Sequence, residues 1–147
     1  MKLSIVLTTI QSPTKCVRNW GNLRPGEIIA VGDKRTPAEW RCDGVHYLSL
    51  TEQESCSFKS CRILPYNHYC RKIIGYLKAM ENDSDFIFDT DDDNDPYSEF
   101  WDNRIPLPQP DESCLLLNSE AGGFINVYSY FSNSQEKIWP RGFPLSK

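Results

Sequence analysis

The chain has 147 residues, a formal net charge of −4, 39% hydrophobic residues and 12% aromatic residues. This length fits one domain with a single core, and the composition is too apolar for an intrinsically disordered chain. The acidic balance argues against a nucleic-acid partner, which would require a basic face. No apolar run approaches the ~20 residues that cross a bilayer, and the first residues lack a signal-peptide cleavage site. We therefore expect no transmembrane segment and a cytoplasmic location.

Strands and helices are predicted to alternate over the first ninety residues. Ser12 or Thr14 is placed to cap a helix that runs to Trp20, and apolar residues at helical spacing predict a longer helix over 66–80. The predicted strands are 3–9, 27–31, 45–50 and 86–88, with a short helical turn at 36–40 and a polar connection after the third strand. This order indicates an α/β fold with a largely parallel sheet.

The last third of the chain changes in character, because prolines at positions 106, 108 and 110 indicate an irregular stretch. Short apolar runs predict further strands at 114–117 and 124–131. In the second of these, Tyr128, Tyr130 and Phe131 fit either a stacking platform for a sugar or an ordinary core.

The cysteine pattern favours reduced thiols. The six cysteines form no CxxC pair and share no zinc-like spacing with His46 or His68, so both histidines are expected to be structural. The even number of cysteines leaves a disulfide set as the alternative.

The run Asp89-Thr90-Asp91-Asp92-Asp93-Asn94 is the most informative feature, because it directly follows the apolar residues of the fourth predicted strand. Ligands in open α/β sheets bind beyond the carboxyl ends of the strands. Carboxylates two residues apart on an extended backbone face the same side, which gives two registers of a D-x-D motif, Asp89/Asp91 and Asp91/Asp93. Mg²⁺ or Mn²⁺ bridging to a phosphate is the natural partner of such a cluster.

Two other interpretations of the acidic run remain. A calcium loop of the EF-hand type has acidic residues at its first, third and fifth positions, but here Asn94 replaces the required glycine and Phe100 the required glutamate. The run also fits a solvated acidic loop with no ligand.

Four further residues are candidates for contact with a phosphate compound. Arg71 and Lys72 in the predicted helix suit a diphosphate, although an ordinary surface pair would have the same sequence. Asp33 ends the second strand, where an acidic residue can accept from a base or ribose, and Thr8 ends the first strand.

The chain resembles the STELLO-type glycosyltransferases, which are similar to the GT-A superfamily of nucleotide-sugar transferases. Five collinear segments carry the resemblance, at 6–14, 31–37, 64–76, 89–94 and 139–145. The resemblance implies a GT-A-like, Rossmann-related three-layer sandwich with a mostly parallel central sheet. It also implies that residues 1–147 form a single nucleotide-sugar-binding domain with a reduced acceptor-side half.

The same resemblance implies a metal-dependent glycosyltransferase that takes a UDP- or GDP-linked sugar and a glycan or protein acceptor. Its implied site has Thr8 and Asp33 near the nucleoside. Arg71, Lys72 and Asp89 would contact the donor, and Asp91 and Asp93 would bind Mn²⁺ or Mg²⁺. The catalytic base is not identified, and Asp111, Glu112 and Glu120 are candidates by position alone. The alternatives are a non-catalytic nucleotide-sugar-binding or interaction module, and a sugar-nucleotide mutase-like enzyme.

Overall fold

The computed structural model of the protein describes residues 2–99, 123–131, 138–140 and 142. The chain divides into two compact units, Met1–Pro106 and Leu107–Lys147. None of the helices in the described residues has the length and apolar character needed to span a bilayer.

The first unit is built on a four-stranded parallel sheet with the strand order β3-β2-β1-β4. Its strands are β1 (Leu3–Thr8), β2 (Glu27–Val31), β3 (His46–Leu48) and β4 (Phe86–Asp89). Its helices are α1 (Lys15–Leu23), α2 (Leu50–Ser55), α3 (Ser60–Ile63) and α4 (Lys72–Glu81), with a 3₁₀ turn at Tyr69–Arg71. The predicted α/β class and parallel sheet are confirmed.

Helices cover both faces of the sheet, as the predicted three-layer arrangement requires. Residues that alternate along a strand point to opposite faces. On one face, Ile5, Leu7, Ile28 and Ala30 pack with Val17, Trp20 and Trp40. On the other face, Val6, Ile29 and Val31 pack with Leu48, Cys61, Ile74 and Ala79. The continuous apolar run of β1 follows from this, because a central parallel strand is buried on both sides.

The predicted cap of the first helix is confirmed at Thr14, whose hydroxyl accepts from the backbone N–H of Val17 at 3.1 Å. At the other end, Arg24 adopts a left-handed conformation with φ of 43° and donates its backbone N–H to the Trp20 carbonyl. Pro25 then prevents the helix from continuing.

Three predictions in the first unit need correction. The short helical turn predicted at 36–40 is one hydrogen-bonded turn, in which the Trp40 N–H donates to the Pro37 carbonyl at 3.1 Å, and not a helix. The connection after β3 contains α2 and α3, which lack the apolar periodicity that would have predicted them. The helix expected over 66–80 begins only at Lys72, because the His68 side chain caps a 3₁₀ turn before it.

In the second unit, the predicted strand at 124–131 is wrong, since Tyr128–Phe131 forms a short helix, α5. Asn126 accounts for the difference: its side chain accepts from the Tyr128 N–H at 3.1 Å, and its carbonyl accepts from Ser129. Tyr128 and Tyr130 are exposed in this helix. The predicted strand at 114–117 and the candidate bases Asp111, Glu112 and Glu120 lie outside the described residues.

The expectation of reduced thiols is wrong for one pair, because Cys56 and Cys61 form a disulfide. The short segment between α2 and α3 folds back on itself and brings the two side chains together. Among the described cysteines, Cys16, Cys42 and Cys70 are free thiols.

Candidate functional site

A cleft lies at the carboxyl ends of three parallel strands, β1, β2 and β4. Strand order reverses at β1, because the chain adds β2 and β3 on one side of it and β4 on the other. Such a reversal opens a crevice in which α/β proteins bind ligands. The cleft has a volume of about 330 Å³. It is lined by Thr8, Thr9, Ile10, Val31, Gly32, Asp33, Arg35, Asn67, His68, Tyr69, Arg71, Asp91, Asp92 and Asp93.

The acidic run enters this cleft as soon as β4 ends. Asp89 still pairs with Val6 in the sheet, and the Thr90 N–H then donates to the Val6 carbonyl at 3.1 Å. Asp92 is fixed next, since one of its carboxylate oxygens accepts from the Thr9 hydroxyl at 2.7 Å and from the Gln11 amide at 3.2 Å. These contacts orient the turn that brings Asp91, Asp92 and Asp93 to the cleft.

Side chains of helix α1 and of its N-cap residue hold the backbone of the same turn. The Thr14 hydroxyl donates to the carbonyl of Asp92, and the Trp20 indole donates to the carbonyl of Asn94 at 3.0 Å. The Cys16 thiol donates to the Asp93 carbonyl at 3.3 Å. These contacts are made to the backbone of the turn, and Asp93 is among the residues that line the cleft.

Lys72 is the counter-ion of the acidic run. Its side chain is 2% exposed, and its Nζ donates at 2.8 Å to both Asp89 and Asp91 and at 2.7 Å to the Thr90 carbonyl. Burial alone would lower the pKa of Lys72, but its hydrogen bonds to Asp89, Asp91 and Tyr69 outweigh burial and raise the pKa. The same contact from Lys72 is the main cause that lowers the pKa of Asp91.

Arg71 reaches the cleft from a buried position. Its side chain is held by Gln53, by the carbonyl of Leu64 at 3.1 Å, and by the ring of Tyr66, whose centroid lies 4.5 Å from the guanidinium carbon. Lys34 lies over the same ring at 4.2 Å. Arg71 and Arg35 supply positive charge to a cleft whose other lining groups include four carboxylates.

Asp33 is nearly buried at 7% exposure and lies where β2 ends. One carboxylate oxygen accepts from the Lys34 N–H at 2.7 Å and the other from the His68 N–H at 3.3 Å. Each oxygen keeps a lone pair for a further donor, such as a hydroxyl or a ring N–H.

Five of the seven predicted site residues line one cleft: Thr8, Asp33, Arg71, Asp91 and Asp93. Asp89 and Lys72 do not line it. The hydrogen bonds from Lys72 to the acidic run instead join that run to α4. His68, expected to be structural, does cap the 3₁₀ turn through its Nδ1 and also lines the cleft. Asn67 and Gln53 were not predicted as site residues. The start of α2 could have been found, because Ser49 and Glu52 have the spacing of a capping box.

The described carboxylates suit one particular kind of metal site. Within the described ranges, His, Cys, Asp and Glu side chains form no group of three or more that could hold a metal ion. A nucleotide-bound Mg²⁺ needs fewer protein ligands than that, because it takes one or two carboxylates and completes its shell with phosphate and water oxygens. Asp91 and Asp93 fit that chemistry, since both line the cleft and both offer only oxygen.

Comparison with known proteins places the chain beside two plant proteins. It is 30% identical over 146 residues to proteins of Arabidopsis thaliana named "Probable glycosyltransferase STELLO1" and "Probable glycosyltransferase STELLO2". Each alignment covers 96% of this chain and 19% of the relative, so the chain spans about a fifth of their length. No protein-family model matches the chain. The resemblance predicted from the five segments is confirmed, and the similarity to the STELLO proteins extends over nearly the whole chain.

Proposed function

We propose that this chain forms the donor site of a metal-dependent glycosyltransferase, which transfers a sugar from a UDP- or GDP-linked donor to a glycan or protein acceptor. The observation that carries the proposal is that carboxylates and an arginine line the same cleft. Asp91 and Asp93 suit a divalent ion, and Arg71 suits the diphosphate that the ion would accompany. The names of the two plant relatives support the same class of reaction.

The candidate site residues have different roles in this proposal. Thr8 and Asp33 lie at the ends of β1 and β2 and would meet the nucleoside. Arg71 would place a forked pair of N–H donors on diphosphate oxygens. Lys72 would not contact the donor itself, because its ammonium binds and orients Asp91. Asp89 would contribute through Lys72 in the same way.

The proposed ion is Mn²⁺ or Mg²⁺, held by Asp91 and Asp93. When bound, it supplies Lewis-acid chemistry that neutralises charge on the departing diphosphate. Lys72 already offsets part of the repulsion among the carboxylates that would hold the ion.

The direct test is calorimetric titration of the folded protein with UDP and with GDP, each in Mn²⁺ and in EDTA. We expect one nucleotide to bind in Mn²⁺ and not in EDTA. Binding without any turnover of the matching nucleotide sugar would favour a binding module. Ring-form interconversion of the donor would favour a mutase-like enzyme. Absence of binding to either nucleotide would refute the proposal.

Asp91→Asn isolates the metal site, because asparagine keeps the shape of aspartate and loses the charge. We expect it to weaken Mn²⁺-dependent nucleotide binding by about tenfold or more, since a charge-assisted contact is worth about 1.5–3 kcal/mol. The matched control is Asp43→Asn, whose side chain is 94% exposed, pairs with Arg24 and lies outside the cleft lining. Equal binding by the Asp91→Asn protein and the wild type would remove Asp91 from the site.

A further inference from the structure

A buried glutamine and a buried arginine form an unusual pair behind the cleft. Gln53 of α2 and Arg71 of the 3₁₀ turn are each 1% exposed. The Arg71 Nε donates to the Gln53 side-chain oxygen at 2.9 Å, and an Nη of the same guanidinium donates to the same oxygen. Arg71 also lines the cleft, whereas Gln53 does not.

Every hydrogen-bonding group of the Gln53 side chain is used. Its amide nitrogen donates to the carbonyl oxygens of Gly32 at 2.9 Å and Leu48 at 2.7 Å, and its oxygen accepts twice from Arg71. The amide has one workable orientation, because a flipped amide would set donors against the guanidinium and an acceptor against two carbonyls. Gln53 therefore ties Arg71 to the carboxyl ends of β2 and β3.

The backbone around Gln53 is also held at both ends of α2. The Ser49 hydroxyl accepts from the Glu52 N–H, and the Glu52 carboxylate accepts from the Ser49 N–H, so a capping box begins α2. The Cys56–Cys61 disulfide follows directly after the helix. The amide that holds Arg71 thus belongs to a short helix with both ends fixed.

This arrangement uses only part of what Arg71 can donate. Of its five N–H groups, two go to Gln53 and one to the Leu64 carbonyl. One N–H on each Nη has no acceptor within the described part of the chain. Because the side chain is buried, these two N–H groups would otherwise lack a partner, and a bound anion could supply it.

We propose that Gln53 is a positioning residue for donor binding: it holds the Arg71 guanidinium so that its two unused N–H groups meet the diphosphate. This inference rests on the proposed function. An arginine that is already ordered loses less side-chain entropy when it binds, so preorganisation increases affinity. Gln53 itself touches no part of the donor.

A double-mutant cycle tests whether Gln53 affects donor binding through Arg71. In the full chain, the Mn²⁺-dependent affinity for UDP or GDP is measured for wild type, Gln53→Met, Arg71→Met and the double variant. Methionine approximates the volume of glutamine without its polar atoms. We expect Arg71→Met to weaken binding roughly 10- to 100-fold. Gln53→Met should weaken binding when Arg71 is present and have almost no effect when Arg71 is absent.

Equal weakening by Gln53→Met in both backgrounds would overturn the inference, because a residue that only supports the fold acts whether or not Arg71 is present. If the wild type binds neither nucleotide in Mn²⁺, the proposed function fails and the inference fails with it. If the wild type binds and the cycle is additive, only the inference fails. The two failures are therefore distinguishable.

A measurement on the wild type decides the matter if Gln53→Met does not fold. The hydrogen on Nε of Arg71 should exchange with solvent more slowly than that of the exposed Arg62, as followed by nitrogen-15 NMR. Adding the nucleotide with Mg²⁺, which is diamagnetic, should shift the Nη signals and leave Nε protected. Exchange at Arg71 as fast as at Arg62 would show that the contact with Gln53 does not persist in solution and would overturn the inference.

Discussion

At the scale of single residues, Lys72 shows how the negative charge of the acidic run is balanced within the protein. The sequence shows carboxylates crowded together, which suggests repulsion that only an external cation could relieve. In the fold, Lys72 already pairs with Asp89 and Asp91, although it lies 17 and 19 positions before them. The protein's own ammonium therefore offsets part of the repulsion within the run. The sequence does not predict this pairing, because its partners are distant along the chain and meet only in the folded protein.

The contact between Lys72 and Asp91 predicts how stability depends on pH. The pKa of folded Asp91 lies below its ordinary value of 3.8, mainly because of the hydrogen bond from Lys72. A lowered pKa adds stability above the unfolded pKa, and this stability is lost as pH falls through the folded pKa. In EDTA, we expect wild type to exceed Asp91→Asn in free energy of unfolding at pH 7. The difference should be no more than about 1 kcal/mol, since solvent screens a half-exposed carboxylate.

Urea unfolding of both proteins at several values between pH 7 and pH 2.5 measures this difference. It should stay constant down to about pH 5 and then close as the pH falls, because the unfolded carboxylate takes up a proton around its ordinary pKa of 3.8 and the folded one only at lower pH. The Asp43→Asn protein serves as control, since its substitution lies in an exposed pair where stability changes little. A difference that widens toward acid pH would contradict the assigned direction of the pKa shift.

At the scale of elements, prediction succeeded where local chemistry determines the structure. The apolar run of β1 and the hydroxyl of Thr14 each act within a few residues, so the strand and the helix start were found. Helix α4 was found with the wrong first turn. Apolar character also does not mark its buried face, because Ile73 and Met80 are exposed, whereas Gly75 and Ala79 are buried. Packing against the sheet, which sequence periodicity does not specify, decides that face.

Gly75 is a point of close approach between α4 and the sheet. A Cβ at this position would lie 2.5 Å from Cγ1 of Val6 and 2.7 Å from Cγ2 of Val31. We expect Gly75→Ala to destabilise the protein by about 1–2 kcal/mol, because overpacking costs about 1–3 kcal/mol and exceeds the gain in helix propensity. The free energy of unfolding in urea measures this. An increase in stability would show that α4 has room to move away from β1 and β2.

The double variant Val6→Ala with Gly75→Ala separates overcrowding from other causes. Val6→Ala removes the methyl group that the new Cβ would approach most closely. The double variant should therefore lose less stability than the sum of the two single variants, as expected for residues in contact. Additive losses would place the defect elsewhere in the helix.

At the scale of the whole molecule, the parallel sheet is what assembles the site. Thr8, Asp33 and Asp91 are far apart in the sequence, and each was chosen because it ends a strand or follows one. Parallel pairing in the order β3-β2-β1-β4 brings these ends to one cleft. This part of the site was predictable from strand ends alone. Gln53 was not, because its role depends on a helix that no apolar pattern predicts and on an arginine 18 residues away.

The division of the chain leads to a prediction about its first unit. All the residues that line the cleft belong to Met1–Pro106, the more N-terminal of the two compact units. We expect a chain ending at Pro106 to fold with an α/β circular dichroism spectrum and cooperative unfolding, since the sheet and both of its helical layers are complete within it. It should bind the same nucleotide in Mn²⁺ with the affinity of the full chain, as calorimetry would measure. A folded but non-binding fragment would assign part of the site to residues after 106, and an unfolded fragment would favour a single domain over residues 1–147.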